Sequence, residues 1–251
     1  MIASRARSLA LARDGYVIVP NDPSVLAWAS AANPIAANIV AQNPERRHGN
    51  TWFVGVDALP NDHDGSISGA LLDGACRDLV SAPTRWHRAQ LSIIYPGYPR
   101  EGSDESAASH RFRRDRDAAH VDGLLPEGRR RHRHLREPHG FVAGIPLDDV
   151  DASPLVVWPG SHLMIGATFV KAFAGLPVDR WADEDVTSIY QAARRDIFER
   201  CPRIPIRAQP GEVILLHRHL LHGVAPWGES AETRPRMIAY FRPLVAFSDW
   251  L

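Results

Sequence analysis

"EVILLHRHLLHGVAPW", residues 212–227, opens as an apolar run of strand composition and then brings His217, His219 and His222 close together. Histidine is the commonest side-chain metal ligand, but it also ends ordinary buried strands. The three residues therefore pose one question, whether any of them holds a metal, and the rest of the chain has to answer it.

Around this stretch lie further short strands with turn signals: "WHRAQLSIIYPG" (86–97), "GFVAGIPL" (140–147), "PLVVWPG" (154–160), "RIPIRA" (203–208) and "RMIAYFRPLVAF" (236–247). Nearer the N-terminus, "YVIVP" (16–20) reads as a strand, and "NTWFVGVDALP" (50–60) as a strand or extended loop. Helices are expected over 3–13, stopped by Asp14-Gly15, over 24–42 with a break near Pro34, over 68–82, and in an insertion at about 168–200. The polar run 98–119 reads as a loop. Strands that do not alternate with helices disfavour a doubly wound fold. The pattern predicts a mainly β protein, a β-sandwich or jelly roll with N-terminal helices over one sheet. No internal repeat or linker divides residues 1–251, which read as one domain.

Composition narrows the function. The 29 basic and 29 acidic residues cancel, so no global field recruits nucleic acid or an anionic membrane. Lys171 is the only lysine, an arginine bias that, with abundant Ala, Pro and Gly, fits a GC-rich bacterial genome. Cys76 and Cys201 form no CxxC pair, consistent with a reducing cytoplasm. The first residues are not expected to form a signal peptide, and no stretch is expected to reach the roughly 18 apolar residues of a membrane span. Gly-rich phosphate loops of the GxGxxG and GxxxxGK types are absent. The run "EGRRRHRHLREPHG" (127–140) lacks the interleaved aromatics of a single-strand platform and reads as a solvated loop, with an anionic substrate group as its other use.

The second landmark is "AAHVDGLL" (118–125). On a strand, His120 and Asp122 share a face, so both reach one ion. With 12 histidines in the chain, about one such spacing arises by chance, and the motif alone could be a surface ion pair. An imidazole and a carboxylate joined by a distant imidazole make the facial triad of non-haem Fe(II) oxygenases, and residues 212–227 offer the missing imidazole.

The order "DGYVIVP" (14–20), "HVDG" (120–123), "PLVVWPGSH" (154–162), "QPGEVILLHRHLLHG" (209–223) and "RPRMIAYFRP" (234–243) resembles the phytanoyl-CoA dioxygenase-like branch of the Fe(II)/2-oxoglutarate oxygenases, over nearly the whole chain. The resemblance implies a double-stranded β-helix and makes His222, in the "HG" step, the distal ligand beside His120 and Asp122. Strict alternation would then put Arg218 in the lumen with His222, so a break or bulge near Arg218-His219 is expected. His217 is expected to end the preceding strand as a buried histidine. The resemblance also implies an arginine fork for the far carboxylate of 2-oxoglutarate, Arg236 or else Arg234. Arg242 reads as a surface or sheet-edge charge.

Gln90 is the candidate polar contact to the co-substrate, or a strand residue facing solvent. Gly144 stands where relatives often carry a tryptophan, which implies a wider co-substrate pocket. Trp52 and Phe53 are either core aromatics or pocket walls. The activity implied is hydroxylation of a small molecule with O2 and 2-oxoglutarate consumed and succinate and CO2 released. Asp122 occupies the position that halogenating relatives leave empty. The alternatives are a cupin-like jelly roll that binds metal without 2-oxoglutarate turnover, and a hydroxylase acting on a protein side chain.

Overall fold

The computed structural model describes residues 2–73, 85–103 and 105–251. Strand β1 (Tyr16–Val19) follows helix α1 (Ile2–Asp14), and α2 (Pro23–Gln42) follows it in turn. Then come β2 (Trp52–Gly55), β3 (Gln90–Ile94), α3 (Ala107–Asp115), β4 (Leu124–Glu127), β5 (His132–Leu135), β6 (Phe141–Pro146) and β7 (Leu155–Val157). Helices α4 (Ser161–Ala172) and α5 (Thr187–Arg200) flank a short 3-10 turn, and β8 (Ile204–Ile206), β9 (Val213–His217), β10 (His222–Val224) and β11 (Arg236–Phe241) complete the chain.

Two antiparallel sheets face each other: a six-stranded one in the order β1-β9-β6-β11-β3-β2 and a three-stranded one in the order β10-β7-β8. Their facing side chains, Val142, Ile214, Leu216 and Ile238 against Leu155, Val157 and Ile206, form one core. Val213, Leu215, Ala239 and Phe241 point the other way and are covered by Val25, Trp28, Ala29, Ala32 and Ala36 of α2. On the far side, Val156 packs with Ile165, Phe169, Tyr190 and Ile197 of α4 and α5. This is the jelly roll the strand pattern predicts. Both faces of β9 are buried, which is why it reads as a continuous apolar run rather than an alternating one.

Several local expectations change. Helix α2 runs through Pro34 without a break. Pro34 is exposed, so the carbonyl it leaves without a partner can reach water, while buried Ala32 and Ala36 hold the helix down. By length and composition α2 is apolar enough to cross a membrane, contrary to the sequence expectation, but its apolar side is the cover of the sheet. Residues 68–73 of the expected 68–82 helix form a turn and extended chain, and the remainder, with Cys76, lies outside the described residues.

The polar run 98–119 carries α3, whose N-cap Ser106 accepts from the Ser109 N–H at 3.2 Å. The arginine run 127–140 is largely a β4–β5 hairpin rather than a solvated loop. The Arg133 N–H donates to Thr187 Oγ1 at 2.6 Å and its guanidinium to Leu124 O at 2.7 Å, while Arg129, Arg130 and Arg131 at the tip stay exposed. The helical insertion begins earlier than expected, at Ser161.

Candidate metal centre

The chain does break after His217. The Leu220 N–H donates to His217 O at 2.8 Å, closing a turn at Arg218-His219. The turn carries the chain from the six-stranded sheet to the three-stranded one, where His222 pairs with Val157 of β7. On its other edge His222 forms an isolated antiparallel bridge with His120, their N–H groups donating to each other's carbonyls at 3.0 and 2.8 Å. The "HVD" segment thus pairs through an isolated bridge rather than lying in a continuous strand. Two imidazoles are set side by side, ring centroids 4.7 Å apart.

Gly223 makes the bridge possible. A Cβ there would stand 2.2 Å from the carbonyl oxygen of Asp117, inside any allowed contact. Asp117 is in turn fixed by a two-bond fork from Arg203, each bond 2.7 Å. Between the two candidate ligands, the Val121 N–H donates to the Tyr190 hydroxyl at 2.9 Å and its side chain is buried with α4 and α5. His120 and Asp122 therefore emerge together on the opposite side.

One ligand atom each from His120, Asp122 and His222 all lie within 4.8 Å of one another. His120 Nε2 is 3.2 Å from Asp122 Oδ1, and His222 Nε2 is 3.8 Å from Asp122 Oδ2. The His120 Nδ1 faces Ala118 O at 3.0 Å and the His222 Nδ1 faces Leu220 O at 2.9 Å. Backbone carbonyls thus take the Nδ1 protons and leave each Nε2 as the ligating nitrogen. Burial alone would raise the Asp122 carboxyl, but the His120 hydrogen bond and the charges of His222, His120 and Arg242 hold it well below the usual range. Burial pushes His222 down to about 4, against the pull of Asp122. At neutral pH the centre thus offers an ionised carboxylate and an unprotonated His222, the forms that bind a cation.

His217 and His219 stand apart from this centre. Their rings are 5.2 Å apart, with His162 of the "PGSH" segment 5.0 Å from His217 and Trp250 4.4 Å from His219. Burial pushes them to about 4 and about 3 respectively, so both are neutral packing groups at pH 7.

The two arginine candidates separate cleanly. Arg234 is exposed and paired with Asp149 at 2.9 Å and Glu232 at 2.8 Å. Arg236 opens β11, opposite Ile94 of β3, and is only 4% exposed, with Nε and Nη2 lacking any hydrogen-bond partner among the described residues. Leaving buried guanidinium donors unpaired is costly, so the site has the form of a socket for an anion. Beside it, burial pushes the Tyr240 hydroxyl up while Arg236 opposes the shift.

Gly144 does not widen this space. It pairs with Tyr240, and a Cβ at 144 would come 2.8 Å from the tyrosine ring, which fills the place. Trp52 and Phe53 divide: Phe53 joins the core under α2, while Trp52 donates from Nε1 to Ser92 Oγ at 3.0 Å and lies 5.4 Å from the His48 ring, stacked on it.

Arg242 is the residue the sequence reading misplaced. It is not a surface charge: its Nη2 donates to Gln90 Oε1 and its Nη1 is 3.7 Å from Asp122 Oδ2. Gln90 accordingly faces inward, engaged by this arginine rather than by solvent. Parity could have located Arg242, since it continues the face of Arg236, Ile238 and Tyr240 one residue past the end of β11. Beside Arg242 a cavity of ≈ 610 Å³ opens toward solvent.

No family model matches the chain, and no curated protein sequence matches it. Solved structures do. The non-heme alpha ketoglutarate dependent epimerase SnoN from nogalamycin biosynthesis is 17% identical with a TM-score of 0.54, over 96% of this chain and 81% of that one. The non-heme alpha ketoglutarate dependent carbocyclase SnoK from the same biosynthesis is 15% identical with a TM-score of 0.51, over 95% of this chain and 83% of that one. SnoN in complex with Fe3+, alpha ketoglutarate and nogalamycin RO also matches, at 17% identity and a TM-score of 0.51, over 96% of this chain and 84% of that one. The chain shares its fold with these non-heme alpha ketoglutarate dependent enzymes.

Proposed function

We propose that the chain is a non-haem Fe(II)- and 2-oxoglutarate-dependent dioxygenase of the phytanoyl-CoA dioxygenase-like branch, hydroxylating a small molecule. The observation that carries this reading is the pairing of two features between the sheets. A His-Asp-His cluster of facial-triad composition lies near one end of β11, and a buried arginine with unpartnered donors lies at the other. Each supplies what the other would require.

His120, Asp122 and His222 would hold the Fe(II), and Arg236 would anchor the distal carboxylate of 2-oxoglutarate. When bound, these groups with O2 supply an oxidative decarboxylation that releases succinate and CO2 and directs oxygen to the substrate. The chain's own part is positional. Backbone carbonyls fix both imidazole tautomers, the His120–His222 bridge fixes their separation, and the apolar facing core keeps water from the arginine. Asp122 supplies a carboxylate where a halogenating relative has none, which favours hydroxylation over halogenation.

The test is an anaerobic titration with Fe(II) and then 2-oxoglutarate, following the weak visible charge-transfer band of the chelate. The band is expected in wild type and lost or weakened in Asp122→Ala and Arg236→Ala. Iron binding without a band would instead favour a cupin-like metal protein. Binding of neither would reject both.

A further inference from the structure

We propose that the cavity beside the centre takes a molecule with an apolar body and a carboxylate, and that Arg242 receives that carboxylate. That the occupant is the substrate rests on the oxygenase reading above; the anion site itself rests on this cavity.

At ≈ 610 Å³ the cavity is of ligand size, and Val56, Pro243 and Leu244 give it an apolar wall. Arg242 lies at its inner end, its side chain 19% exposed, whereas the acidic wall residues Glu137 and Asp57 are 43% and 62% exposed. The backbone of Arg242 is gripped on both sides. Its N–H donates to His87 Nε2 at 2.6 Å, and its carbonyl accepts from His139 Nδ1 at 3.0 Å. Those imidazoles also stand against the acids of the wall, His139 with Glu137 at 3.2 Å and His87 with Asp57 at 3.4 Å.

The guanidinium is left short of an anion. Gln90 is a neutral acceptor, and Nε is buried without a partner among the described residues. Among the described residues its nearest carboxylate oxygen, on Asp122, is 3.7 Å away, longer than the roughly 2.7–2.9 Å of a charge-assisted hydrogen bond. Asp122 is moreover the carboxylate a metal would claim. A cation held this firmly, facing a cavity and without a bonded counter-charge, is a fork for an incoming carboxylate. Arg242 is the link from this cavity to the metal centre, its Nη1 3.7 Å from Asp122 Oδ2.

The test is a ligand-observed NMR titration of the full chain with hydrocinnamate and its neutral amide, hydrocinnamamide. It is run on the metal-free protein and on protein loaded with Mn(II) and 2-oxoglutarate. The acid is expected to bind on the order of tenfold tighter than the amide, as a charge-assisted contact implies. That preference should vanish in Arg242→Gln and persist in Arg236→Gln. Leu244→Trp, at a side chain 64% exposed and so harmless to folding, should weaken both ligands by narrowing the cavity, and it reports even if Arg242→Gln does not fold.

Equal binding of acid and amide, binding of neither, or a preference that survives Arg242→Gln would overturn the proposal. So would a preference lost in Arg236→Gln, which would put the acid in the co-substrate socket. An acid preference in protein that never binds 2-oxoglutarate would sink the oxygenase reading and leave the anion site standing.

Discussion

Two glycines shape the site, Gly223 beside the ligand His222 and Gly144 beside Tyr240. A Cβ on Gly223 would meet the Asp117 carbonyl, a backbone atom pinned by its neighbours, so Gly223→Ala must open the His120–His222 bridge. Ligand separation then changes, and Mn(II) affinity is expected to fall about 10–100-fold, the range seen when groups that orient ligands are lost. An EPR titration of free Mn(II) reads this directly, and unchanged affinity would show that the bridge is dispensable. Gly144→Ala meets a side chain instead, the Tyr240 ring. Overpacking there is expected to destabilise the protein by about 1–3 kcal/mol in urea unfolding. Because Tyr240 neighbours Arg236, the same variant should weaken 2-oxoglutarate more than metal. The sequence makes the three clustered residues legible, since an HxD spacing and an "HG" step are local. It does not reveal what fills the space at Gly144, because that side chain arrives from another strand.

At the scale of elements, the strands were readable because apolar runs bounded by turn residues are local signals, and the break at Arg218-His219 was readable because strict alternation would put Arg218 on the same face as the ligand His222. Helix α3 and the β4–β5 hairpin were not: their polar sequences are held by distant partners such as the Thr187 hydroxyl. The junction of β9, α4 and the C-terminal turn carries a pH signature. His217 and His219, normally near 6.5, are pushed to about 4 and about 3 by burial, with His162 and Arg218 adding to the first and His217 and Arg218 to the second. Between those values and 6.5 the unfolded chain binds more protons than the folded one. Stability is therefore complete above pH 6.5 and falls as the pH drops toward 4. Asp148, raised to about 6 by burial, works the other way between 6 and its ordinary 3.8, but His222, pushed to about 4, acts in the same direction as His217 and His219, so it is one group against three. The melting temperature should fall from pH 7 to pH 5, and His219→Phe, among Phe169 and Trp250, should flatten that fall. An unchanged slope in the variant would place the acid sensitivity elsewhere.

On the scale of the molecule, the jelly roll was legible because it follows from many short strands, whereas which helices back which sheet was not, because either pair presents an apolar face. The assembled layers give the metal centre a structural role as well. His222 belongs to the three-stranded sheet, while His120 and Asp122 come from the segment between α3 and the hairpin, and the backbone joins them only through the His120–His222 bridge and the Val224 N–H to Asp117 O bond. A cation bound to all three would tie that segment to the sheet, and because the unfolded chain does not bring the ligands together, its binding energy would add to the stability of the fold. At a free concentration a hundred times the dissociation constant, that addition is about 2.7 kcal/mol. For a chain of this length it corresponds to a rise in melting temperature on the order of 5–10 °C. Mn(II), which does not turn over, is the ion to use in a thermal-shift measurement. Wild type is expected to show the rise, Asp122→Ala to show none, and Arg236→Ala to keep it with metal alone while losing any further increment from 2-oxoglutarate. A rise that survives Asp122→Ala would mean that the stabilising ion binds somewhere else on the protein.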